Sequence, residues 1–151
     1  MAVGNFPSEE TPQNICDQNT TTKYLNFGAC TAANQSDICG LNTGFYVTLQ
    51  RGLSIVKGFQ ICAANDEPGR DPVRITLEGS NDRNVNLTFG TSWSLIHNGS
   101  TSLDTISSRF GCSLIQCISN SIRYESYRFL VTHKYEKSNS VQYSEVQLFG
   151  Y

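Results

Sequence analysis

The sequence predicts an all-β sandwich, and three observations lead there. Short apolar segments alternate with a period of two, no segment sustains a helical period, and clusters of Gly, Asn, Asp and Ser separate the segments. At 151 residues the chain suits one domain with a single core. Residues 1–13 hold Pro7, Pro12 and two glutamates without periodicity, so they read as a leader or linker before a domain over 14–151. Residues 14–43 carry three cysteines among many Asn, Thr and Asp and read as ordered loop. Strands are expected at Phe45–Leu49, Leu53–Ala63, Val73–Glu78, Trp93–Ile96, Tyr127–Thr132 and Val141–Phe149. Their inward faces should be Phe59 with Ile61, Val73 with Ile75 and Leu77, Tyr127 with Phe129 and Val131, and Val146 with Leu148. Only Ser119–Ser126 suggests a helical turn. Many short strands joined by turns make a sandwich or barrel.

Composition narrows the function classes. Charged residues are 16% and hydrophobic residues 38% of the chain, too apolar and too weakly charged for disorder. The net charge of −2 gives no global field toward nucleic acid or an anionic membrane, so neither is expected as a partner. No run approaches the ~20 apolar residues of a transmembrane segment. Met1–Glu10 is polar and carries no apolar signal core, so a signal peptide is expected to lie outside this chain.

Six cysteines, Cys16, Cys30, Cys39, Cys62, Cys112 and Cys117, point to disulfides formed in an oxidising, extracellular compartment. Zinc is the rival, but Cys112 and Cys117 form the only close pair, and His97 and His133 stand singly. Six cysteines allow 15 pairings. Short loops close at least entropic cost, which favours Cys30–Cys39 and Cys112–Cys117 and leaves Cys16–Cys62. Sequons at Asn19, Asn34, Asn86 and Asn98 agree with secretion as a glycoprotein.

No catalytic signature is present: no G-x-S-x-G elbow, no H-E-x-x-H helix, no phosphate loop and no nucleotide fingerprint. The chain is therefore expected to bind rather than to catalyse.

Four segments, in order, make the reading more specific. They are Asp17-Gln-Asn-Thr-Thr-Thr-Lys-Tyr-Leu-Asn-Phe-Gly28, Leu77-Glu-Gly-Ser-Asn-Asp82 followed by Trp93-Ser-Leu-Ile96, Tyr127-Arg-Phe-Leu-Val131, and Ser144-Glu-Val-Gln-Leu-Phe-Gly150. Together they resemble the galactose-binding-like, discoidin (coagulation-factor C-type) superfamily, which includes family-32 carbohydrate-binding modules. The likeness runs from residue 15 to the end. It is closest to a bacterial-type branch that also carries a loop similar to Ala64-Asn-Asp-Glu-Pro-Gly-Arg-Asp-Pro72. The resemblance implies an eight-stranded jelly-roll sandwich, and it puts Trp93 in packing.

The resemblance also implies a structural calcium ion. By position its ligands are Asp17, Asn19, Thr22 and Glu145, with backbone carbonyls completing six to eight hard oxygens. Asn19 stands where the family has a second Asp, which removes a negative charge, and Asn19 is also a sequon. The same residues equally suit local side-chain-to-backbone turns.

In the resembling proteins, ligands bind in loops at one end of the sandwich. The matching loop here offers Asn65, Asp66, Arg70 and Asp71, with Tyr24 as an aromatic candidate. Amide and charged groups pair with vicinal sugar hydroxyls, and a ring covers the sugar's apolar face. The rival for the loop is a local Arg70–Asp71 ion pair with Asn65 and Asp66 capping the turn. The implied partner is a glycan or glycoprotein. The alternative is a structural or adhesive module of an extracellular assembly, bound to copies of itself or to other extracellular proteins.

Overall fold

A computed structural model describes residues 4–88 and 90–151, so Met1–Val3 of the expected leader lie outside it. Nine short strands build it: β1 (Tyr24–Asn26), β2 (Gly44–Thr48), β3 (Val56–Cys62), β4 (Pro72–Ser80), β5 (Ser94–Ser100), β6 (Gln116–Cys117), β7 (Ser126–Lys134), β8 (Val141–Tyr143) and β9 (Glu145–Gly150). One sheet runs β2-β7-β4-β5, a second runs β6-β3-β9, and β1 pairs with β8. Every pairing is antiparallel. There is no α-helix among the described residues, and none of their helices is long and apolar enough to cross a membrane. This is a jelly-roll β-sandwich.

The alternation read in the sequence is the packing that holds it. Tyr127, Phe129 and Val131 of β7, and Ile75 and Leu77 of β4, face Phe59 and Ile61 of β3 and Val146 of β9 in one core. Phe129 is the hub. Its ring lies 5.7 Å from its cross-strand partner Phe45, 5.7 Å edge-on from Phe59 in the opposite sheet and 6.1 Å from Tyr143. Such pairs each add about 0.5–1.5 kcal/mol beyond burial. Tyr127 stitches the layers with its hydroxyl, which donates to the Ser54 carbonyl (2.6 Å) and accepts from the Val56 amide (3.2 Å).

Four sequence expectations change. Val141–Phe149 is two strands, because Ser144 turns the corner: its amide and hydroxyl bond the Cys62 carbonyl, and its hydroxyl also bonds that of Ala63. β1 forms inside the segment read as loop, paired with β8 and with the Glu10 carbonyl. Residues 119–126 form no helical turn; Tyr124 is extended and bridges Ser54. Trp93 packs, but on the outer face of the four-stranded sheet. It lies beneath Arg128, whose guanidinium carbon is 4.9 Å from the ring and which is paired with Glu78 across the ladder.

The cysteines correct the loop-closure argument. Cys30–Cys39 forms, but the expected Cys112–Cys117 and Cys16–Cys62 do not; Cys62 joins Cys112, and Cys16 and Cys117 are free and exposed. Residues 112–118 run extended beside β3. Cys112 lies opposite Cys62, and the Ile118 amide bonds the Lys57 carbonyl. Strand pairing thus holds Cys112 and Cys117 apart along one edge and overrides the entropy of a short loop. Cys16 lies instead against the Val146 carbonyl of β9.

The two cross-links span 50 and 9 residues. Chain entropy then assigns them about 4 and 2.5 kcal/mol. Replacing Cys62 and Cys112 by alanine should lower urea-unfolding stability by the larger amount, and replacing Cys30 and Cys39 by the smaller. Peptide mapping should recover a Cys62–Cys112 pair; recovery of Cys112–Cys117 would overturn the assignment.

Candidate functional site

Three loops meet at one end of the sandwich: 63–71 before β4, 101–111 after β5 and 135–140 after β7. Their roots coincide because Pro72 of β4 pairs with Lys134 of β7, and Arg74 of β4 pairs with Ser100 of β5. Backbone bonds then lace them. The Tyr135 amide donates to the Asp71 carbonyl (3.0 Å), Glu136 to Gly69 (2.9 Å) and Ala63 to Gly111 (2.8 Å). Between them lies a cleft of about 610 Å³, lined by Asp66, Asp71, Asp104, Thr105, Arg109 and Tyr135 among others.

Arg109 and Asp71 form its floor. The guanidinium grips the carboxylate with two prongs, Nη1 to Oδ1 at 3.0 Å and Nη2 to Oδ2, while Nη1 also reaches the Asp66 carbonyl at 3.0 Å. Asp71 is 3% exposed. Burial raises its carboxyl above the ordinary value, and Arg109 pulls against that rise through its hydrogen bonds and charge. Tyr135, 51% exposed, lines the same cleft. An exposed aromatic beside fixed donors and acceptors can offer a plane to the apolar face of a ligand.

A buried glutamine sets the 63–71 loop. Gln142 of β8 is fully buried. Its Nε2 donates to Asp66 Oδ1 (2.9 Å) and to the Asp66 carbonyl, while its Oε1 accepts from Lys23 Nζ (3.2 Å) and Arg70 Nη1 (3.4 Å). Lys23 also pairs with Asp66 at 2.8 Å. Burial works against the Asp66 charge, but the Lys23 and Gln142 bonds and the nearby cations hold its carboxyl below the usual range.

Of the residues singled out in the sequence, Asp66 and Asp71 line the cleft. Arg70 turns toward Gln142, and its Nε is buried without a partner. The expected local Arg70–Asp71 pair is absent; Asp71 takes Arg109 instead. Asn65 is exposed at the loop's start, outside the lining. Tyr24 belongs to the core: it is 1% exposed, lies edge-on to Tyr143, and its hydroxyl donates to the Gly44 carbonyl (3.1 Å). Arg109, Asp104, Thr105 and Tyr135 were not legible as site residues. Only Tyr135 left a signal, as an aromatic opening the polar run Tyr-Glu-Lys-Ser-Asn.

The calcium candidates gather in part. Asp17 Oδ1 and Glu145 Oε1 both accept the Asn19 amide, at 2.8 and 3.2 Å, across 126 residues of sequence from Asn19 to Glu145. Thr22 Oγ1 donates to Asp17 Oδ2 (2.7 Å) and to the Asn19 carbonyl (2.8 Å). The Asn19 side-chain oxygen turns to the amide and hydroxyl of Thr21 (3.0 and 2.6 Å). Glu145 is 2% exposed. Its carboxyl is pushed up to about 7 by burial first, then by the hydrogen bond and charge of Asp17. Neither carboxylate is in an ion pair among the described residues. No three His, Cys, Asp or Glu side chains gather as a metal site among them. The donor set is two carboxylates plus neutral oxygens, all hard, which fits calcium and not zinc.

No protein-family model matches the sequence, and no curated protein matches it either. Solved structures do. A family-32 carbohydrate-binding module from a family-31 glycoside hydrolase of Clostridium perfringens aligns with 96% of this chain and 88% of its own, at TM-score 0.63 and 10% identity. The family-32 module of C. perfringens NanJ, in complex with galactose, covers 98% and 91% at TM-score 0.58 and 9% identity. A further C. perfringens module, CpGH89CBM32-5, in complex with GalNAc-β-1,3-galactose, covers 97% and 94% at TM-score 0.56 and 9% identity. At these identities the likeness is one of fold: the chain has the jelly-roll fold of these family-32 modules.

Truncating Arg109 to alanine should strand the Asp71 carboxylate in the cleft floor. Loss of the partner of a buried carboxylate whose arginine is itself partly exposed costs about 2 kcal/mol, roughly 4–8 °C in melting temperature for a chain of this size. Arg109→Lys should recover only part of it, because an ammonium lacks the two-pronged fork. An unchanged melting temperature for Arg109→Ala would show that the pair does not hold the floor.

Proposed function

We propose that this chain is a non-catalytic, extracellular carbohydrate-binding module that takes its sugar in the cleft between loops 63–71, 101–111 and 135–140. The observation that carries this is half-exposed Tyr135 lining the same cleft as the Arg109–Asp71 pair, whose carboxylate is buried. The ring supplies the stacking plane, and Thr105, Asp104 and Asp66 supply donors and acceptors for hydroxyls around it. The lacing of the loops keeps those groups in place before the ligand arrives. Modules of the same fold with galactose or GalNAc-β-1,3-galactose bound support this use of the fold. Two disulfides support the extracellular setting.

Glycan-array screening followed by calorimetric titration tests the proposal. Tyr135→Ala should weaken binding of the selected glycan by about tenfold, the loss of ~1.4 kcal/mol of stacking, with melting temperature unchanged. If the wild-type chain binds no glycan, the reading falls. The assembly alternative would then gain weight, with Leu114 (82% exposed) and Ile115 beside β6 as the surface on offer.

Asp17, Asn19, Thr22 and Glu145 are assigned to a structural calcium ion, which would neutralise the two carboxylates and fix the 16–22 loop to the start of β9. Asp17 and Glu145 would give the charged oxygens; the Asn19 amide donates to both of them and its side-chain oxygen is held by Thr21, so Asn19 would have to turn an oxygen toward the ion. A chelator should lower the melting temperature by about 5–10 °C if the ion is held at 100-fold over its dissociation constant. Asp17→Asn should abolish that response. A melting temperature indifferent to both chelator and calcium would remove the ion.

A further inference from the structure

The cleft is far more acidic than the chain around it. Four acids line it, Asp66, Glu67, Asp71 and Asp104, against one base, Arg109. That is a net of −3 in one cleft, where the whole chain carries −2. Counting Lys23, which pairs with Asp66 from outside the lining, and Arg70, whose charge also acts on Asp66, the local balance is −1.

How these charges are used decides what the cleft admits. The Arg109 fork is spent on Asp71, so the cleft has no free guanidinium to receive a ligand's carboxylate. Asp66 is held by Lys23 and Gln142. Glu67 and Asp104 are exposed and belong to no ion pair among the described residues. Glu67 sits at the tip of its loop in a left-handed conformation (φ 43°), and Asp104 lies in the turn Leu103–Thr105. An anionic sugar would bring a third charge of the same sign to these two. A neutral sugar offers them hydroxyl donors only. A protonated amine offers them charge-assisted donors, which bind more strongly, and the face of Tyr135 attracts a cation as well.

We infer that the cleft selects a cationic amino sugar, a hexosamine with a free amine, over its N-acetylated form and over a uronate. This deepens the sugar-binding reading and rests on it. The amine's charge and the ring's apolar face are recognised together, so a cation without a sugar ring is a poorer ligand.

Calorimetric titration with galactosamine, N-acetylgalactosamine, galacturonic acid and galactose, and with the four gluco counterparts, tests it. The amine should bind about fivefold tighter than the N-acetyl form at low salt, the strength of an ion pair at a half-exposed site. The gap should shrink as salt is added, and the uronate should bind weakest. In a Glu67→Gln, Asp104→Asn double variant the amine-to-acetyl ratio should fall to about one. The inference is overturned if the N-acetyl form or the uronate binds tightest, or if the ratio survives in the double variant. It is also overturned if a lysine oligomer displaces the amino sugar as readily as galactosamine does. Galactose binding with no advantage for the amine would sink this inference and leave the sugar site standing. Failure of every sugar would sink both.

Discussion

Everything at the loop end depends on two sheets being held face to face, and that depends on Phe129. Its ring touches its own cross-strand neighbour Phe45, Phe59 of the opposite sheet, and Tyr143 of the β1–β8 pair. The three units of the sandwich therefore share one contact point. The roots of the three loops are then fixed on three neighbouring strands, β7, β4 and β5, and a cleft can form between them. Hydrophobic packing supplies the position; polar chemistry supplies the shape.

That polar chemistry is arranged in two tiers. Gln142, buried on β8, sets the path of the 63–71 loop through Asp66 and Arg70. The Arg109–Asp71 pair then closes the floor from the other side. Buried polar groups of this kind are costly when left unpaired, so each grips its loop in one conformation. The short strand segment 141–145 serves both ends of this arrangement. Gln142 holds the 63–71 loop, and three residues on, after the corner at Ser144, Glu145 meets the 16–22 loop.

The sequence was most legible where burial alone decides structure. Alternation at Tyr127, Phe129 and Val131, and at Ile75 and Leu77, marked true inward faces. It was least legible where a polar partner far away decides. Nothing near Arg109 announces Asp71, 38 residues earlier. Nothing near Gln142 announces Asp66. Tyr24 and Trp93 show the same limit for aromatics: their residue type is informative, but which face they occupy is a tertiary outcome. The cysteines failed for a related reason, since loop length ranks pairings only when the intervening chain is free to bend, and here it is bonded along β3.

The Cys62–Cys112 bond has a consequence for how such a cleft changes over time. It ties the residue just before the 63–71 loop to the residue just after the 101–111 loop, so both walls hang from one covalent point. Of the lining residues between those anchors, Leu103 and Ile106 join the core and Asp66, Asp71 and Arg109 are tied by hydrogen bonds, whereas Glu67, Asp104 and Thr105 are exposed. Substitutions at Glu67, Asp104 or Thr105 can therefore change the chemistry that the cleft presents while the scaffold stays intact, so the lining is free to drift by single steps on a frame that does not drift with it.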